Sequence, residues 1–355
     1  MGTHSRLIRN LALAAGAYVA VRSAIAFSRR YDFRNRLVVI TGGSRGLGLV
    51  LARQLADAGA ALVLCARDEE ELAAAAADLR TSGPFVATYA CDLSRASDIT
   101  DMFRRIRREV GSVDVLINNA GLIEVGPLES MDLEDYQQAM AVHFWAPLIC
   151  TELVLPDMRR RGEGRIVNIS SIGGQIAAPH MLPYTASKFA LNGLSQGLRV
   201  ELAKNGVYVT TVCPGYMRTG SPRNALFKGQ HRAEYAWFSI VGGMPLLTMN
   251  AERAARQILS ACRHGRAKVT LSLFANLAAV ANTLAPELMA DATSLVVSLM
   301  PSPGGIGREA ATGEESESSW SPSFLTTLNE QAAVRNNEVR HHASLMSSNG
   351  HSRST

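Results

Sequence analysis

The chain has 355 residues, a length that suits two ordinary domains or one large α/β domain with extensions. Apolar residues make up 47% and charged residues 19%, so a large core can form and wholesale disorder is excluded. The net charge of +5 belongs to the N-terminus: residues 1–36 hold seven arginines and one acid, and the remainder holds 29 basic and 30 acidic residues. No basic face for nucleic acid is therefore expected on the folded body. The five cysteines are scattered, with no CxxC and no Cys/His pairing at metal spacing, which points to a reducing compartment and to no metal site.

Residues 1–35 form an apolar, Arg-flanked segment. The stretch 7–27 is rich in small and apolar residues and free of acids, but Arg22 interrupts it. A spanning helix needs about 20 apolar residues. Three readings follow: a membrane anchor that spans or lies in the interface with Arg22 snorkelling, a helix packed on protein, or a cleaved leader. Arg29, Arg30, Arg34 and Arg36 outnumber Arg6 and Arg9, so a spanning helix would leave the body on the cytoplasmic side.

From residue 36 strands and helices alternate. LVVIT (37–41), ALVLCA (61–66), residues 85–90, VDVLIN (113–118), RIVNIS (165–170) and VYVTTVC (207–213) read as buried strands. Helical patterns lie between them, the first over 46–58 with Leu47, Val50, Leu51 and Leu55 on one face. Continuous apolar strands separated by helices predict a doubly wound parallel sheet covered on both faces. After Pro214 the regularity fades into an irregular segment, 215–248. Residues 251–263 form an amphipathic helix, and the apolar extension 266–301 reads as a helical hairpin broken at Pro286. Residues 302–355 are polar and read as a disordered tail with a short helix near 323–335.

TGGSRGLG (41–48) follows the first strand and opens the first helix. Glycines there permit a tight turn and let backbone N–H groups meet a pyrophosphate at the positive end of the helix. The second strand ends in Ala66 and Arg67, where an acid would bind the ribose 2′-hydroxyl of NADH. Arg67 and Arg45 instead suit a 2′-phosphate, so NADP(H) is expected over NAD(H). Arg67 could also simply pair with Asp68 or Glu71 of the next helix.

Tyr184 and Lys188 stand four residues apart in YTASK, at the start of a helical pattern, and so share a helix face. An ammonium beside a phenol lowers the phenol's pKa and makes it a general acid/base. Ser171 ends the strand RIVNIS, where an open parallel sheet binds its ligands.

Together these motifs resemble the classical short-chain dehydrogenase/reductase family over residues 36–265. TGGSRGLG matches the family's TGxxxGxG, NNAG (118–121) its motif after the fourth strand, and Ser171, Tyr184 and Lys188 its catalytic serine and YxxxK. The resemblance implies a seven-stranded Rossmann sheet, a homodimer or homotetramer, and hydride transfer between nicotinamide and a carbonyl or secondary alcohol. It assigns Gly42, Ser44, Arg45, Gly46, Leu47 and Gly48 to the cofactor phosphates, and Asp92 and Leu93 to the adenine. Asn119, Ala120 and Gly121 line the cofactor groove, and Pro214, Gly215 and Thr219 approach the nicotinamide end. Where the family has a relay asparagine, VHFWA places His143, which can also pass protons; a packed helix histidine is the competing reading.

The segment 215–248 supplies Tyr216, Met217, Leu226, Phe227, Tyr235, Trp237, Phe238 and Met244 as candidate walls of an apolar pocket for a small lipophilic carbonyl or alcohol. The alternative is that they pack on the core or on another subunit. A non-catalytic NADPH-binding sensor is the other functional class, and the retained Tyr/Lys pair speaks against it.

Overall fold

The structure, a computed structural model, describes residues 2–80, 85–244, 247–323 and 326–339. Seven parallel strands form the central sheet: β1 (Leu37–Thr41), β2 (Ala61–Ala66), β3 (Val86–Ala90), β4 (Val115–Asn118), β5 (Gly164–Ile169), β6 (Val207–Pro214) and β7 (Lys268–Leu271). Their order is β7-β6-β5-β4-β1-β2-β3. The chain winds outward from β1 in one direction and from β4 in the other, so the crevice opens between the carboxyl ends of these two strands. Thr41 lies opposite Asn118 in register, which sets the glycine turn beside NNAG.

β1 is buried along its whole length because helices cover both faces. On one face Ile40 and Leu64 pack with Leu51 and Leu55 of α2 (Gly46–Asp57) and Ile258 of α9 (Ala251–Arg263). On the other, Val39, Val63 and Leu116 meet Ile106 of α4 (Ala96–Glu109) and Met158 of α6 (Ala146–Arg161). The acid-rich α3 (Glu69–Arg80) buries Leu72, Ala75, Ala76 and Leu79. The five cysteines are buried and free.

α6 continues α5 (Leu133–Met140) through a π-turn over Ala141–Trp145, which carries His143. α7 (Leu182–Leu202) holds Tyr184 and Lys188. A third, smaller cluster of Val125, Phe227, Tyr235 and Phe238 lies under α8 (His231–Gly243).

The extensions differ in how they pack. α1 (Gly2–Ser28) is a helix whose described side chains from Leu13 to Val21 are exposed, and it reaches the body at the amino end of the strands, where Arg29 stacks on Tyr208. α10 (Leu273–Leu284) and α11 (Pro286–Ser298) form the helical hairpin read at Pro286, and most of their apolar side chains are exposed. The expectation of a disordered tail from residue 302 does not hold for the described part. Ala311–Thr312 pairs with Leu226–Phe227, which pairs in turn with Glu124–Val125. α12 (Thr327–Arg335) then buries Asn329, Ala332 and Ala333. Small polar residues dock here through hydrogen bonds, which composition does not reveal. Residues 340–355 lie outside the described residues.

Candidate active site

Two strand ends and one helix build the site. Thr41 ends β1, and its hydroxyl accepts from the backbone N–H groups of Asn119 and Ala120 at 3.0 and 3.1 Å. The Asn119 amide donates to the carbonyls of Thr41 and Gly42. NNAG therefore clamps the phosphate turn in place. Gly42 and Gly46 adopt left-handed φ of 63° and 56°, and a methyl on Gly48 would collide with the Gly42 carbonyl. The turn thus needs its glycines. Arg45 does not cap α2 with its side chain, and Gly46 N–H donates to the Asn336 carbonyl at 2.8 Å; an oxygen ligand thus suits this first turn, and the donor set fits a dinucleotide pyrophosphate.

Around that turn the guanidinium of Arg45 is already engaged. It bonds Glu71 at 2.7 Å and Asn224 at 3.1 Å and lies 3.4 Å from Glu338. The Ser44 hydroxyl also donates to Glu71, at 2.9 Å. It is thus Arg45 that takes Glu71, while Arg67 is exposed at the end of β2. Asp92 accepts from the backbone and hydroxyl of Ser94, which fixes the turn before Leu93 is buried. Sequence reasoning missed Glu71 and Glu338 as neighbours of the turn, because the pairings span 26 and 293 positions.

Ser171, Tyr184, Lys188 and His143 come together beyond the end of β5. Ser171 starts a short 3-10 turn, its hydroxyl accepts from Gly173 N–H at 3.0 Å, and it draws the Tyr184 phenol's pKa down. Pro183 opens α7 and sets Tyr184 in its first turn. One turn on, Lys188 Nζ lies 5.6 Å from the Tyr184 ring centre and donates to the Ile169 carbonyl at 3.0 Å. The expected depression of the phenol by Lys188 is not what this geometry gives. Burial pushes the Tyr184 phenol up, against the pull of Ser171. Burial also brings Lys188 down to about 7, so its positive charge is half lost near neutrality.

His143 is fully buried and packs edge-on against Tyr184 with ring centres 5.4 Å apart. Leu122 N–H donates to Nε2 at 3.1 Å. Nδ1 therefore carries the proton and donates to Ser187 Oγ at 2.8 Å, and that hydroxyl donates to the Tyr184 carbonyl. Burial, then the charge of Lys188, keeps the imidazole neutral well below its usual range.

Of the candidate pocket walls, Phe227, Tyr235 and Phe238 belong to the third core cluster, and Met217 packs on the main core. Phe227, Tyr235 and Phe238 are buried, and Met217 is partly buried. Trp237 Nε1 donates to Glu234, Met244 is exposed, and burial, then the neighbouring Tyr184, lifts the Tyr216 hydroxyl to about 12. Pro214 ends β6, Gly215 backs onto Ser272, and Thr219 caps the backbone at Ser221. Among the described residues no cluster of His, Cys, Asp or Glu could hold a metal ion.

The family profile described as short chain dehydrogenase matches residues 36–226, more than half of the chain. The chain is a short-chain dehydrogenase/reductase. As a member of that family it is an oxidoreductase of alcohol and carbonyl groups, and the Rossmann sheet is the family's own. Among its relatives, Dehydrogenase/reductase SDR family member 7B of Mus musculus is 33% identical over 72% of this chain and 79% of the relative. An uncharacterized oxidoreductase of Mycobacterium bovis is 36% identical over 72% of each. Among solved structures, a gluconate 5-dehydrogenase from Burkholderia cenocepacia in complex with NADP and tartrate is 28% identical with a TM-score of 0.59, over 68% of this chain and 96% of that one. A metagenomic short-chain oxidoreductase in complex with NADP is 29% identical with a TM-score of 0.56, over 68% and 99%.

Proposed function

We propose that this short-chain dehydrogenase/reductase uses NADP(H) in preference to NAD(H) to interconvert a carbonyl and a secondary alcohol on a small lipophilic molecule. The observation that carries the reading is the convergence of Ser171, Tyr184 and Lys188 beyond the end of β5, across the crevice from the clamped phosphate turn. The absence of an acid at the end of β2, with Arg67 there and Arg45 in the turn, supports the 2′-phosphate. The two NADP-bound relatives support it as well.

The residues divide the work as follows. The first turn of α2, with Ser44, Arg45 and Arg67, holds the phosphates, and Gly121, Lys188 and the 214–219 segment face the nicotinamide half. When bound, the nicotinamide supplies the hydride. Ser171 and Tyr184 orient the substrate oxygen, and the Tyr184 hydroxyl gives up its proton to that oxygen in reduction and regains it in oxidation. Charged Lys188 stabilises the phenolate left behind. His143 fits a positioning role better than a relay, because a backbone N–H occupies its Nε2 lone pair. Through Ser187 it fixes the start of α7 under Tyr184.

We further read α1 as a membrane contact with the catalytic body on the cytoplasmic side, and the enzyme as a homodimer or homotetramer. Its apolar N-terminus and the tyrosine at the cleft, Tyr216, support a lipophilic substrate.

Tyr184→Phe tests the mechanism. With a panel of ketones and secondary alcohols read by NADPH absorbance, the wild type turns over at least one class. The variant should lose turnover and keep NADPH binding; full activity in the variant would remove the mechanism.

A further inference from the structure

The C-terminal segment after α12 lies on the phosphate turn. Beyond Arg335 the chain reverses at Asn337, whose φ of 58° is left-handed. Three consecutive residues then engage the turn. The Asn336 carbonyl accepts from Gly46 N–H at 2.8 Å. The Asn337 amide donates to the Ser44 carbonyl at 3.0 Å. The Glu338 carboxylate lies 3.4 Å from Arg45 Nε and accepts from the Asn224 amide at 2.7 Å. A methyl on Gly46 would fall 2.5 Å from Glu338 Oε1, so the carboxylate sits against the first residue of α2. Asn336 also donates to the Thr219 carbonyl, and both Asn336 and Glu338 are buried.

A carboxylate and a carbonyl here present to the helix N-terminus and to Arg45 the same kind of oxygen that a phosphate presents. Gly46, Ser44, Arg45 and Thr219 are also residues that the dinucleotide reading needs. We propose that residues 336–338 are an intramolecular competitor for the cofactor phosphates, an autoinhibitory latch that must leave the phosphate turn before the dinucleotide binds. The proposal rests on the dinucleotide reading given above.

The latch is built to yield. Burial lifts the Glu338 carboxyl to about 7, against the pull of Arg45 and Asn224, so its charge is poorly housed when docked. The N–H groups of Asn336 and Glu338 bond the Ala332 and Ala333 carbonyls at 3.0 and 2.9 Å around the left-handed Asn337, so release of the latch uncaps the end of α12.

The test uses the full chain with Glu338→Ala and Glu338→Gln, and NADPH without substrate as the probe. Loss of one charge-assisted competitor contact should tighten NADPH binding about tenfold in Glu338→Ala, measured by NADPH fluorescence. Saturating NADPH should also speed amide hydrogen exchange across 336–339 in the wild type. An unchanged or weaker affinity in both variants, or slower exchange over 336–339 with NADPH, overturns the latch and makes the segment a neutral neighbour or a clamp. If neither wild type nor variants bind NADPH or NADH, the dinucleotide reading falls and the latch with it.

Discussion

Lys188 shows how burial sets chemistry at a single residue. Its amine donates to the Ile169 carbonyl and, among the described residues, makes no ion pair with an acid, and burial brings it down to about 7. A folded pKa below the ordinary lysine value of roughly 10.4 means that the folded state binds fewer protons between the two values. Stability therefore rises with pH over the window from about 7 to about 10.4, and the buried charge weighs against folding below it. Lys188→Met nearly conserves volume and removes that charge, though it leaves the Ile169 carbonyl without its donor, at about 1 kcal/mol. The variant should melt higher than wild type at pH 6, by several degrees, with the difference closing towards pH 10. A melting temperature lowered equally at every pH would contradict the buried charge. The same shift bears on turnover. If charged Lys188 stabilises the phenolate, carbonyl reduction should hold level below about pH 7 and decline above it, whereas Lys188→Arg should move the decline upward by more than a unit. A stopped-assay pH profile with saturating NADPH reads this directly.

At the scale of elements, the π-turn between α5 and α6 holds His143 against Tyr184. An extra residue in a helix re-aims one side chain, and such turns recur at functional sites. His143→Ala would leave Leu122 N–H and Ser187 without their partner in a fully buried space. The expected loss is about 2–4 kcal/mol of stability and a fall in turnover, with the pH profile of the remaining activity unchanged. His143→Asn should recover part of both. A shifted pH profile at wild-type stability would instead assign the imidazole to proton transfer. The strands were legible because LVVIT is short, β-branched and followed by glycines and recurs in kind between helical patterns, and YTASK places its pair by helix geometry. AVHFW reads like any helix, so the π-turn was not legible. The contacts of Arg45 with Glu71 and Glu338 were hidden for a different reason: they depend on chain reversals far apart in sequence. Of the aromatic residues of 215–248, Phe227, Tyr235 and Phe238 took the core alternative, because a buried ring in a core and a ring lining a cavity have the same composition.

Across the whole molecule, two apolar surfaces leave the body at opposite ends of the sheet. α1 joins where Arg165 Nη2 donates to the Arg29 carbonyl and Tyr31 N–H to the Arg263 carbonyl, at the amino end of the strands. α10 starts just past the carboxyl end of β7, and Asn282 on it donates to the Gln175 carbonyl, four residues beyond Ser171. The apolar stretch 7–27 lies within α1 and as a helix rises about 31 Å, close to the roughly 30 Å hydrocarbon core. On the proposed reading of α1 as a membrane contact, Arg22 within it and the arginines that flank it would strengthen binding to anionic lipid. The full chain should therefore float with vesicles containing phosphatidylserine and release as salt rises. A chain lacking residues 1–28 should stay in the soluble fraction while keeping its NADPH affinity and its elution volume. Flotation that survives this deletion and is lost in Leu277→Asp/Leu284→Asp would move the membrane contact to the hairpin beside the active site, and a full chain that never floats would remove the membrane from the account altogether.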